Sequence, residues 1–134
     1  MPPVDVGEQV WRELDAPRAP TDAERRVLGV LAAAAGDPVL SGQVASAVVD
    51  AVCRCGCSSV RLRADRSAAP SRVGRAGHHA VEAVGSAPGH EHVQVVLHVL
   101  RGRVHELEVF DTRAGEGVPV ALDELTRLAA PEVG

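Results

Sequence analysis

The sequence predicts an α+β fold in which N-terminal helices pack on an antiparallel sheet built from two β-hairpins. Three observations carry that expectation. Thr21-Asp22-Ala23-Glu24 is a capping box at the head of an amphipathic run. Residues 58–65 and 93–109 alternate apolar and polar side chains with the period of a half-buried strand. Turn residues at Cys55-Gly56 and Arg101-Gly102 interrupt the alternating segments where a hairpin reverses. Sheets of this kind leave one face for the core and one for solvent.

Residues 1–20 hold Pro2, Pro3, Pro17 and Pro20 and read as a proline-rich flexible arm, with one turn of helix around residues 8–14 docking Trp11. Residues 21–130 then form a single α+β domain. The Thr21 hydroxyl is placed to accept from the Glu24 amide, and the Glu24 carboxylate to reach back. Val27, Leu28 and Leu31 follow at helical spacing, and Gly36 supplies the stop. Asp37-Pro38 caps and begins a second helix, which gives way to a strand near residues 45–47.

In the next strand Val60, Leu62 and Ala64 face one way, and Ser59, Arg61, Arg63 and Asp65 the other. Pairing back through a two-residue Cys55-Gly56 turn sets Asp50 opposite Arg61, Val49 opposite Leu62 and Ala51 opposite Val60. Residues 66–78 read as a loop and residues 79–84 as a weak strand. Val93, Val95, Leu97 and Val99 alternate, and Leu107 and Val109 return on the same face. Gly102 suits the left-handed position of a type I turn followed by a bulge. The opposite face carries Gln94, His98, Glu106 and Glu108 beside Val96, Val104 and Phe110. A short helix around residues 123–129 closes the chain.

Composition narrows the function. At 134 residues and 46% apolar content the chain can bury a core without staples. Lys, Asn, Ile and Tyr are absent. All have AT-rich codons, so a GC-rich bacterial genome accounts for the missing Lys, and Arg-specific recognition need not be invoked. The net charge of −4 argues against nucleic acid as a main partner. Six Arg stand between Arg54 and Arg75 against Asp65 alone. They read as a solvated strand and loop, and a nucleic-acid contact through Arg61, Arg63, Arg66, Arg72 and Arg75 is the alternative. Acids at Asp5, Glu8, Glu13 and Asp15 exclude an export signal there, and the apolar run at residues 27–35 is shorter than the roughly 20 residues a membrane span needs. The expectation is a soluble, cytoplasmic protein with reduced thiols.

Cys53, Cys55 and Cys57 are the chain's three cysteines. Structural zinc sites pair cysteines two to four residues apart, and here the spacing is one. In the hairpin register Cys53 points to the buried face, Cys55 sits in the turn and Cys57 emerges on the opposite face beside Arg54, so the sulfurs diverge. A fourth ligand would have to come from His78, His79, His90 or His92. If a metal is held, Zn and Cu(I) are equally suited. A redox role for a thiol near Arg54 is the other functional reading, and a small apolar residue in a tight turn is the plain one.

His98 and Glu106 on neighbouring strands could form a general-base pair. No Ser or Asp is placed to complete a catalytic group, and neither a phosphate-binding glycine loop nor a nucleophile elbow occurs. The pair reads as polar cross-strand contact, and the chain as a non-enzyme.

Cys53-Arg54-Cys55-Gly56-Cys57-Ser58-Ser59-Val60-Arg61-Leu62, followed by Leu97-His98-Val99-Leu100-Arg101-Gly102-Arg103-Val104-His105-Glu106-Leu107-Glu108-Val109-Phe110, resembles a family of small actinobacterial proteins. Those share a Cys-x-Cys-Gly-Cys turn and a Leu-His-Val…Gly…Glu-Leu-Glu hairpin. The resemblance covers residues 28–110 and implies one compact domain and the second hairpin. It implies no catalytic residue and no ligand.

The sequence therefore predicts a small non-catalytic binding protein with no resident cofactor. Gln94, His98, Glu106 and Glu108 would recognise a protein partner bearing basic groups, with Phe110 as an apolar anchor. The alternative is a thiol-based metal (Zn or Cu) or redox module at Cys53, Cys55 and Cys57.

Overall fold

The computed structural model describes residues 11–54, 57–65, 67–113 and 118–129. In chain order these form β1 (Trp11–Arg18), α1 (Asp22–Ala35), α2 (Pro38–Ser46), β2 (Val48–Cys53), β3 (Val60–Arg63), β4 (His78–Ala87), β5 (His90–Leu100), β6 (Arg103–Asp111), a 3-10 turn (Leu122–Glu124) and β7 (Thr126–Ala129). Among the described residues the seven strands make one sheet in the order β1-β2-β3-β6-β5-β4-β7. Every neighbouring pair is antiparallel. The chain is thus α+β and mostly strand.

The first helix starts as the capping box predicts. The Glu24 amide donates to the Thr21 hydroxyl at 3.1 Å, and the Thr21 amide donates to the Glu24 carboxylate at 2.8 Å. Arg18 adds a two-pronged contact to the same carboxylate at 2.8 and 3.1 Å, tying the end of β1 to the head of α1. Gly36 ends α1 with a φ of 68°, a left-handed conformation that favours glycine. Asp37 caps α2, accepting from the Val39 amide at 3.4 Å and from the Ser71 hydroxyl. The helix ends at Ser46 and β2 begins at Val48, within the predicted switch.

Val27, Leu28 and Leu31 of α1 and Leu40 and Val44 of α2 share one buried cluster with Val49, Leu62, Val81, Val93, Val95, Leu97, Val99, Leu107 and Val109 of the sheet. Alternation along β5 sends Gln94, Val96, His98 and Leu100 to the other side. Leu122, Leu125 and Leu128 close one end of the core. Arg26 of α1 holds that end by donating to the Leu122 and Leu125 carbonyls at 2.9 and 2.7 Å.

Several expectations are corrected. The sheet has more strands than two hairpins supply. Trp11–Arg18, expected in the loose arm with a helical turn, is instead an edge strand paired to β2. Residues 1–10 lie outside the described residues. The weak strand at 79–84 is the ten-residue β4. The closing helix at 123–129 is a 3-10 turn followed by β7, because Leu122, Leu125 and Leu128 reach the core from an extended chain as well as from a helix.

The β2–β3 register holds at Val49 opposite Leu62 and then shifts. Asp50 and Ala51 stand together against Arg61, so Val52, not Ala51, meets Val60. The extra residue lengthens the connection beyond the predicted two-residue turn, since Cys53 donates its amide to the Ser59 carbonyl at 3.2 Å. It also turns Cys53 to the other face: Val52 packs against the core cluster, while Ala51 and Cys53 are buried outside it. In the second hairpin Leu100 pairs with Arg103, leaving Arg101 and Gly102 at φ 51° and 79° as a two-residue turn. Positive φ at both positions belongs to the primed turns that suit strand twist, not to the predicted type I turn with a bulge.

Candidate functional site

Among the described residues no helix packs on the sheet face turned away from the core cluster, although Ala51, Cys53 and Val96 on that face are buried. On it β5 and β6 set Gln94 opposite Phe110, Val96 opposite Glu108 and His98 opposite Glu106. The five residues read as a recognition patch thus share one face of two strands at the middle of the sheet. All five are half-buried.

The centre of this face is a chain of hydrogen-bonded side chains. The Nε2 of His98 lies 2.9 Å from Glu108 Oε1, and its Nδ1 lies 2.8 Å from His78 Nε2. The two imidazole rings are nearly parallel, 18° between planes, with centroids 5.0 Å apart. The Glu108 hydrogen bond holds His98 above its ordinary pKa; burial opposes this, and the charges of Glu106, Glu108 and Glu82 add to it. Burial pushes the Glu106 carboxyl above its usual range; His98 counters that and Glu108 reinforces it. The expected His98–Glu106 pair is therefore a cross-strand neighbour, while the direct partner of His98 is Glu108. From sequence His78 enters only as a fourth ligand for the cysteines, and Glu82 carries no signal of its own. The signal for both was the alternation His78, Ala80, Glu82, Val84, diluted by small residues along β4.

Arg61 stands opposite Glu106 in the β3–β6 pairing. Its guanidinium turns to the other side of β3, to Asp50 at 2.8 Å and Glu13 at 2.6 Å. The acid–base match between Asp50 and Arg61 thus survives the bulge, and Arg61 is committed. Of the other arginines considered for nucleic acid, Arg63, Arg72 and Arg75 are exposed, and Arg66 lies outside the described residues.

Cys53 and Cys57 do not form part of this site. Cys53 ends β2 opposite Trp11. Cys57 is half-buried in a cleft of about 540 Å³ beside the first turn of α1, with Ser58 and Ser59. Cys55 and Gly56 lie outside the described residues. Among those described, the group with ligating atoms mutually within 4.8 Å is His98, Glu106 and Glu108.

A larger cleft of about 860 Å³ opens where β4 turns into β5. There His90 Nδ1 meets Asp111 Oδ2 at 2.7 Å, and Asp111 also accepts from the Arg113 amide at 2.8 Å. Thr126 donates its hydroxyl to the Ser86 carbonyl at 3.3 Å. These contacts join the ends of β5 and β6 and the β4–β7 edge, and they act as structural ties.

Fold and site together define an α+β protein that keeps one sheet face for its core and presents the other as a polar surface. Comparison of the chain with protein-family models, curated proteins and solved structures finds no match. No helix among the described residues is long and apolar enough to cross a membrane.

Proposed function

We propose that this protein is a non-catalytic cytoplasmic binding module, and that the helix-free sheet face takes a protein partner carrying basic groups. The observation that supports this reading most is the convergence of Gln94, His98, Glu106, Glu108 and Phe110 on one face against which no helix packs among the described residues. Glu82, Glu106 and Glu108 give it an acidic centre, and Leu100 and Val84, 41% and 45% exposed, add apolar contact at its margin.

Binding of a fluorescent arginine-rich peptide, followed by anisotropy, tests this. Glu106→Gln with Glu108→Gln should weaken it at least tenfold, and a glutamate-rich control peptide should not bind. Equal affinity for wild type and double variant would remove the face from the function.

A further inference from the structure

We infer that His98, Glu106 and Glu108 form a binding site for one divalent first-row transition-metal ion, with His78 orienting His98 from behind. The site goes beyond the partner reading and does not rest on it: ion and basic partner would compete for Glu106 and Glu108, and the ion is measured on the protein alone.

The three side chains are fixed by the two strands at the middle of the sheet. His98 and Glu106 are a directly opposed pair, and Glu108 is two residues further along β6 on the same face. One ligating atom from each lies within 4.8 Å of the others. Metal–ligand distances of about 2.0–2.2 Å are then reached by rotating side chains, with no change in the strands.

The ring of His98 presents its two nitrogens to different partners. Nε2 faces Glu108, and Nδ1 is already engaged by His78 at 2.8 Å. A histidine that ligates through one nitrogen ordinarily donates the other N–H to an acceptor that fixes tautomer and ring plane. With Nε2 on the ion, the His98 proton sits on Nδ1 and His78 Nε2 accepts it, which holds the ring against rotation. The arrangement therefore holds Nε2 as the ligating atom.

Charge supplies a separate reason. Glu106 makes no hydrogen bond or ion pair among the described residues, although it is half-buried beside a second carboxylate. Its cross-strand neighbour Arg61 is committed to Asp50 and Glu13, and the chain has no Lys to send instead. A dication between Glu106 and Glu108 gives Glu106 the direct partner it lacks, where the fold offers it only the neighbouring charge of His98. Two carboxylates with one imidazole and no thiolate suit Zn²⁺ or Mn²⁺ better than Cu(I). The remaining coordination positions face solvent and are open to water or to a ligand.

The test uses untagged full-length protein stripped with a chelator, titrated with Zn²⁺ by calorimetry and native mass spectrometry. One ion per chain is expected. Glu106→Gln, which keeps the side-chain shape, should weaken binding at least tenfold, and His98→Ala should abolish it. His78→Ala should weaken binding about tenfold to a hundredfold through ring orientation. Replacing Cys53, Cys55 and Cys57 together by Ser should leave stoichiometry and affinity unchanged, and the Co²⁺-loaded protein should lack thiolate charge-transfer absorption. No ion bound at 100-fold excess Zn²⁺, affinity intact in Glu106→Gln, or binding lost with the cysteines would each overturn the site. Glu106→Gln stays informative if His98→Ala does not fold.

Discussion

Gln43 and Glu106 show two opposite fates of a polar side chain. Gln43 is 2% exposed and fully satisfied: its amide nitrogen donates to the Ala69 and Gly102 carbonyls at 2.9 and 2.8 Å, and its oxygen accepts from the Val104 amide at 3.0 Å. A glutamine inside a helix reads from sequence as solvent-facing, so nothing local marks this one as the tie between α2 and the start of β6. Thr21 was legible because its partners lie three residues away. Glu106 was legible as a surface group, but its lack of a partner depends on where Arg61 points, which only the packed sheet decides.

That imbalance has a pH signature in metal-free protein. The His98 imidazole faces Glu106 and Glu108 on β6 and His78 and Glu82 on β4, with His105 and Arg61 nearby. Its folded pKa is raised above 6.5, so its stabilisation is complete below that value and is lost as pH rises through the folded value. Glu106 is also raised, from 4.5, so folding favours its protonated form and ionisation opposes folding at higher pH. The two signs agree, so His98 and Glu106 each contribute a fall in stability as pH rises from 5 towards 8, while His105, held below 6.5 chiefly by burial, contributes a smaller rise up to that value. Asp37 and Asp65, both lowered from 3.8, act with the opposite sign but only in stronger acid. Glu106→Gln should flatten the decline and raise stability at pH 8 by about 0.5–1 kcal/mol. Urea midpoints at pH 6 and pH 8, with chelator present, decide it, and an unchanged slope would clear Glu106 of any part.

Among elements, those with a local signature were read well. The capping box, the Asp37-Pro38 start and the β5 alternation all depend on neighbours in sequence, whereas Val104, expected beside Val96 and Phe110, lies in the core because the β5–β6 register shifts between His98 and Val99. The bulge at Asp50-Ala51 carries no such signature, since Asp50 alternates properly and pairs with Arg61 in either register. β7 failed for a related reason: three leucines spaced three apart fit a helix, and the tertiary contact with β4 overrides that period.

The Arg101-Gly102 turn is the element whose sequence can be improved and whose glycine cannot be replaced. A Cβ on Gly102 would lie 2.5 Å from the Ser71 carbonyl oxygen and 3.0 Å from Pro70, in a backbone already at φ 79°. The Gly102 carbonyl also accepts from the Ser71 amide at 2.7 Å as well as from Gln43. Gly102→Ala therefore strains the turn and the loop before β4 together, and should cost about 2–4 kcal/mol. Arg101→Asn, at φ 51°, places a residue that tolerates the left-handed region and should gain about 0.5 kcal/mol. Opposite shifts of the two urea midpoints are expected; a neutral Gly102→Ala would mean that the chain turns differently.

At the scale of the whole molecule the decisive pairing is the one least visible in sequence. β3 and β6 join the two halves of the sheet, yet their strand register consists of Val60 with Leu107 and Arg61 with Glu106. Ser59 extends it, its hydroxyl accepting from the Val109 amide at 2.9 Å. So short a seam between distant segments leaves no periodic trace, and two separate hairpins were all the sequence could suggest.

The edge strand β1 gives that sheet its largest test. Residues read as a loose arm place Leu14 against the core, Glu13 on Arg61 and Arg18 on the buried Glu24. Starting the chain at Ala19 removes all three contacts and bares the edge of β2, with Val48 and Val52 along it. Loss of Leu14 packing and of the partner of a buried carboxylate should destabilise the protein by about 3–5 kcal/mol. An unpaired, apolar strand edge is also a template for pairing with another chain. The truncated protein should therefore associate with rising concentration in sedimentation experiments and unfold at lower urea. If it remained monomeric and as stable as the full chain, β1 would be dispensable. Arg61 would then owe its orientation to Asp50 alone, and the charge imbalance at Glu106 would have to be explained without the edge strand.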